Sequence, residues 1–194
     1  VNWFQPINSP KKWKNLEQQS FWQVERVRAW ARTKDLMLFN GKPMIQFILD
    51  EVNQIADQIL IVTSHADYLS FGYPLIPDLI ENKGPLAGIV SGLSHSSSNY
   101  NWVLSCDIPY ITTTLLLKLR NEIGDYDAIL AKKNSRVHPL IGCYKKDCLG
   151  SLNEQLNLGQ LKLMNALSSL KVKEFEAVDF DEKCFQNLNS KADL

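Results

Sequence analysis

The sequence predicts an α/β fold built on a doubly wound, mostly parallel sheet, and three observations carry that expectation. From Pro43 onward, helical and strand patterns alternate at short spacing without repeats or low-complexity linkers, the mark of βαβ units. The 194 residues are 45% hydrophobic, enough for one sizeable core and hence one domain. An apolar run ending in Cys106-Asp107-Ile108-Pro109 puts an aspartate at the carboxyl end of a buried strand. Open α/β sheets bind ligands there, and a carboxylate in that position is well placed to hold a divalent cation.

The elements follow in order. PMIQFILDEVNQIA (43–56) carries apolar residues at helical spacing with Pro43 at its first position, and QILIVTS (58–64) reads as a buried strand. A helix starts near Leu86, after the glycine-flanked turn GPLAG, and NWVLSCD (101–107) is the next strand. Residues 112–123 form a helix behind a threonine-rich N-cap. DAILAK and HPLIGCYK are two further strands, helices lie near 146–156 and 159–170, and VKEFEAVDF is the last strand.

Charge and cysteine usage narrow the function. The 21 basic and 21 acidic residues cancel, so no global field argues for nucleic acid or a membrane surface. Cys106, Cys143, Cys148 and Cys184 show no metal-ligand spacing, and no signal peptide or apolar run of membrane length is present. These features predict a cytoplasmic protein with buried, reduced thiols.

The first 32 residues depart from this pattern. Four of the five tryptophans (Trp3, Trp13, Trp22, Trp30) lie there, whereas the first glycine is Gly41. Phe21, Val24, Val27 and Trp30 are spaced three apart, so FWQVERVRAW is expected to form a helix rather than the first strand of the sheet.

KDLMLFNGKPMIQFIL, PDLIENKGPLAGIVSGL, LSCDIPY, RVHPLIGCY and FQNLNSKADL occur in this order at suitable separations. Together they resemble the molybdenum cofactor guanylyltransferase family over roughly residues 34–194. The resemblance implies a Rossmann-like fold of the nucleotide-diphospho-sugar transferase type. It also implies transfer of GMP from GTP to molybdopterin, with release of pyrophosphate and dependence on Mg2+. GPLAG with CDIP is shared by several nucleotidyltransferases; HPL and the terminal FQNLN point to this one.

Family members open with a strand and a loop of the type LAGGxSxRMGxxK, whose backbone N–H groups cradle phosphate. Here that stretch reads FWQVERVRAWARTK, and only Lys34 matches. Reading every codon one base earlier changes the picture. Phe21/Trp22 must then encode Leu, Trp22/Gln23 Ala and Trp30/Ala31 Gly; the intervening pairs permit Gly-Gly-Lys-Ser-Ser-Arg-Met. LAGGKSSRMG is therefore allowed just upstream of Lys34, and Lys12/Trp13 permits a Met start. We read residues 1–32 as out-of-frame translation and residues 33–194 as a single nucleotidyltransferase domain; the competing reading is a divergent N-terminus.

The resemblance assigns Asp107 to Mg2+ bridging the nucleotide phosphates, against a plain role capping the next turn. It assigns Lys34 to GTP phosphates and catalysis, and Asp78 to guanine or ribose, where a local Asx-turn is the alternative. Gly84, Pro85, Leu86, Ala87 and Gly88 position base and sugar, or permit tight helix packing. Arg136 and His138 suit the pterin-side phosphate, although a histidine before proline is more often structural. Asn187 and Asn189 offer amides to the acceptor or pin the C-terminal segment. Expected partners are GTP, molybdopterin, and molybdenum-insertion proteins or molybdoenzyme chaperones. The alternatives are a cytidylyl- or sugar-phosphate nucleotidyltransferase, or a non-catalytic domain if the printed N-terminus is real.

Overall fold

The structure, a computed structural model, describes residues 19–24, 36, 38–78 and 84–188; of 19–24 the backbone course is described. Its centre is a seven-stranded sheet of order β5-β4-β1-β6-β8-β7-β9. The strands are β1 (Gln19–Val24), β4 (Gln58–Val62), β5 (Leu75–Ile76), β6 (Tyr100–Ser105), β7 (Ala128–Lys133), β8 (Arg136–Lys145) and β9 (Val172–Glu176). A two-stranded ribbon, β2 (Leu38–Phe39) and β3 (Lys42–Pro43), leads into the first helix. Only β8 opposes the other sheet strands: it pairs antiparallel with β6 and β7, while β1–β4, β1–β6, β4–β5 and β7–β9 are parallel. The expected mostly parallel, doubly wound α/β sheet is the one observed.

Alternation along the strands divides the core into two layers. Ile59 and Ile61 of β4 join Trp102 and Leu104 of β6 against helices α1 (Met44–Val52) and α3 (Thr113–Glu122). Leu60, Val62 and Val103 belong to the opposite layer, under α2 (Pro85–His95), α4 (Cys148–Asn157) and α5 (Leu163–Leu167). Successive side chains of a strand face opposite ways, so a sheet covered on both faces needs continuous apolar runs such as ILIV and WVL. The Thr112 hydroxyl caps α3 by accepting from Leu115 N–H at 3.4 Å.

Two local expectations are corrected. Residues 19–24 are a strand, not the start of a helix, and they fill the central position between β4 and β6. Two parallel neighbours supply hydrogen-bond partners on both edges, and that tertiary gain overrides a three-residue apolar spacing. The predicted continuation of a helix to Trp30 lies outside the described residues. The helix expected over 159–170 covers only 163–167, because Gly159, at φ 75°, ends the previous helix and its N–H bonds back to the Leu156 carbonyl.

All four cysteines are free and buried. Burial pushes the Cys143 and Cys148 thiols up to about 12, so both are protonated packing groups rather than nucleophiles. Among the described residues, no helix is long and apolar enough to cross a membrane.

Candidate functional site

Chain order creates the site. β1 is followed by β4 and β5 on one side, and the chain then crosses to β6 on the other. The carboxyl ends of β1 and β6 thus mark the topological switch point, the place where open α/β sheets bind their ligands.

Asp107 lies two residues beyond β6, at this edge of the sheet, and is half-buried. The Ser105 hydroxyl donates to its Oδ1, and the Asn187 amide donates to its Oδ2 at 2.8 Å. The Leu188 N–H donates to the Asp107 carbonyl at 2.9 Å. Two predicted site residues separated by 80 positions, Asp107 and Asn187, are therefore in direct contact.

Asn187 arrives on a strap that leaves the outermost strand β9 and returns over the carboxyl edge of the sheet. Lys133 Nζ ties the strap's first part by donating to the carbonyls of Ala177, Val178 and Phe180 at 3.1, 3.1 and 2.6 Å. Asn134 Nδ2 holds Glu182 Oε1 at 3.0 Å. Phe185, buried, meets the His138 ring with centroids 5.2 Å apart. Leu188, 2% exposed, ends the strap in a small core with Phe39 and Met44.

His138 reaches this place because β8 is irregular. Leu130 and Ala131 are adjacent in β7, yet they pair with Gly142 and His138. The extra β8 residues form a bulge holding Pro139, which has no N–H to give a ladder; its carbonyl accepts from the Tyr144 hydroxyl at 2.7 Å. Burial, and next the Arg136 cation, lower the His138 pKa below its ordinary 6.5. The ring is thereby biased toward its neutral form, while Arg136 is exposed.

The GPLAG residues divide. Gly84 is exposed at φ 73°, a conformation only glycine adopts cheaply, and it caps α2 without offering a side-chain oxygen. Pro85 sits at the first turn, while Leu86, Ala87 and Gly88 are buried. Their burial fits the helix-packing reading: they anchor α2 in the core, and what they can present to a ligand is the helix N-terminus. Asp78 is half-buried two residues beyond β5. Three strand spacings separate β5 from β6, roughly 14 Å at the usual strand separation. Lys34 and Asn189 lie outside the described residues.

No group of three or more His, Cys, Asp or Glu side chains able to hold a metal exists among the described residues. A single carboxylate, Asp107, suits Mg2+, which is commonly held by one or two carboxylates together with substrate phosphates. Sequence reasoning missed Ser105. Its signal was the i, i+2 spacing to Asp107 at a strand end, where a hydroxyl can turn toward the carboxylate.

The MobA-like NTP transferase domain family matches residues 26–173. The chain belongs to this family. It is 36% identical over 162 residues to a probable molybdenum cofactor guanylyltransferase of Flavobacterium johnsoniae, covering 83% of this chain and 85% of that protein. A molybdenum cofactor guanylyltransferase of Desulfosudis oleivorans is 29% identical, with 88% of each chain covered. Among solved structures, molybdopterin-guanine dinucleotide biosynthesis protein A from Archaeoglobus fulgidus superposes with a TM-score of 0.74 at 25% identity, over 91% of this chain and 94% of that one. The 4-diphosphocytidyl-2C-methyl-D-erythritol synthase of Anaerococcus prevotii shares the fold at 12% identity and a TM-score of 0.72, over 91% and 92%.

Proposed function

We propose that this chain is a guanylyltransferase that joins GMP from GTP to the terminal phosphate of molybdopterin and releases pyrophosphate. The observation that carries the site assignment is Asp107 at the switch point, fixed by the segment that brings Asn187. Names of the relatives supply the substrates; the geometry supports a division of labour among residues. Asp78, beyond β5, suits the base and sugar, and Asp107, beyond β6, suits the phosphates. Gly84 and the start of α2 lie at the same edge and favour anionic groups.

Asp107 would hold Mg2+, which would supply charge neutralisation at the nucleotide phosphates. The chain's own work is orientation, bringing the acceptor phosphate in line with the α-phosphorus. Arg136 supplies a fixed cation for the acceptor phosphate, and the neutral His138 ring supplies a hydrogen bond without adding charge. No side-chain base is needed, because the attacking phosphate is already anionic. Lys34 and Asn189 complete the proposal on the nucleotide and acceptor sides, respectively.

The reading of residues 1–32 as out-of-frame belongs to the same proposal, and the composition of β1 supports it. Its residues, QSFWQV, put Gln19, Ser20 and Gln23 into a strand whose register sets Gln23 beside Ile61 and Leu104. In the shifted frame, Ser20/Phe21 can encode only Phe, Leu, Ile or Val, and Phe21/Trp22 only Leu. Both suit a strand between two apolar neighbours.

The test is nucleotide choice: protein made from its own gene should release pyrophosphate from GTP, but not from CTP, only when molybdopterin is present. Equal turnover of CTP would move the assignment to a cytidylyltransferase, and no turnover with either nucleotide would favour the non-catalytic alternative.

A further inference from the structure

Asp107 is held more tightly than a metal ligand on a turn needs to be. One carboxylate oxygen takes the Ser105 hydroxyl, from the strand that leads to it; the other takes the Asn187 amide, from the strap. A third bond, from Leu188 N–H to the Asp107 carbonyl, locks the same residue's backbone. An ionised carboxylate offers about four lone-pair positions. Two donors therefore stop its rotation and still leave positions for a cation.

The strap cannot simply drift from this contact. It is fastened before Asn187 by Lys133 and Asn134, and by Phe185 against His138. After Asn187 it is fastened by buried Leu188. A segment anchored on both sides gives the Asn187 amide a fixed direction, and a preset hydrogen bond costs little further entropy when substrate arrives.

We propose that Ser105 and Asn187 are positioning residues that fix the Asp107 carboxylate for the nucleotide-bound metal, with the C-terminal strap serving to deliver Asn187. This rests on the reading of Asp107 as the Mg2+ ligand. Residues that hydrogen-bond a metal-binding carboxylate typically govern metal affinity 10- to 100-fold. The strap thereby couples the last part of the chain to the metal, in addition to any contact with the acceptor.

The test uses Mn2+ as the probe, with the full chain expressed from its own gene and without molybdopterin. Free Mn2+ is counted by its electron paramagnetic resonance signal during titration in the presence of GTP; GTP binding is measured separately in EDTA. Ser105→Ala and Asn187→Ala should each weaken Mn2+ binding about 10- to 100-fold, leave metal-free GTP affinity unchanged, and melt within a few degrees of the unsubstituted chain. Ser105→Thr, which keeps the hydroxyl, should restore Mn2+ affinity. Unchanged Mn2+ affinity in both alanine variants, with the unsubstituted chain binding normally, overturns the inference. An equal loss of metal-free GTP binding does so too, since a general structural role would produce it. If the unsubstituted chain binds Mn2+ no better with GTP than without, the functional reading itself is wrong.

Discussion

β1 and β6 lie side by side in the middle of the sheet, parallel and paired from Gln19↔Tyr100 to Val24↔Ser105, yet their sequences differ in kind. β6 is apolar through Trp102-Val103-Leu104 and buried on both faces, and it ends where Asp107 begins the site. β1 carries glutamine or serine at half of its six positions in an equally central place. β1 occupies the strand-wide place between β4 and β6 although half of its residues are polar. A strand's place and its suitability for that place are separate facts. Their disagreement in β1 is what the proposed shift of reading frame would account for.

The largest effect that would sharpen this contrast concerns the loop after β1. Restoring LAGGKSSRMG in place of the printed residues should raise GTP affinity by about 100-fold or more. Two charge-assisted hydrogen bonds to phosphate account for a gain of that size. Isothermal titration of the two chains decides it, and equal affinity would mean that the printed strand and loop are the native ones.

Next come the sites where β8 closes the sheet. A Cβ on Gly142 would lie 2.8 Å from Leu130 Cδ2 and 2.9 Å from the Ile129 carbonyl oxygen. The second neighbour is backbone and cannot swing away. Gly142→Ala should cost about 1–3 kcal/mol, read as a fall in Tm of roughly 2–4 °C per kcal/mol for a chain of this size. Lys133→Met, which strips three strap carbonyls of their donor, should cost about 2 kcal/mol. Its loss should appear first as faster amide exchange in the strap, while β1 and β4 keep their protection.

Gly84→Ala should cost about 1–2 kcal/mol, because alanine resists φ 73°. It should also weaken GTP binding. A Tm loss without an affinity loss would remove Gly84 from the nucleotide side of the site.

The smallest effect is a pH dependence. Burial and Arg136 depress the folded-state pKa of His138 below its ordinary 6.5. The unfolded chain therefore takes up the proton first as pH falls. The stability involved is fully present above 6.5 and is lost as pH drops through that value to the depressed folded one. Melting curves between pH 7.5 and 5 should show a modest decline that His138→Gln flattens.

What the sequence disclosed followed physical range. Apolar periodicity located α1, α2, α3 and the strands β4 and β6, because each pattern is local and each element buries the face that its spacing creates. Asp107's place was legible for the same reason, as the polar residue closing an apolar strand. Its bond to Asn187 was not, since the contact spans 80 residues and depends on a strap anchored by Lys133. β1 was misread because pairing on both edges, a tertiary term, outweighed its own spacing.

The account stands or falls on Asp107 as the centre of guanylyl transfer. The direct measurement is a single-turnover assay with α-labelled GTP, molybdopterin and Mg2+, comparing the unsubstituted chain with Asp107→Asn. That change keeps the shape but turns one acceptor oxygen into an amide donor and removes the charge proposed to hold the metal. The account predicts label transfer to the pterin by the unsubstituted chain and a loss of about 100- to 1,000-fold in the variant, the scale of losing one preorganised electrostatic group. Transfer at an undiminished rate by Asp107→Asn would contradict it.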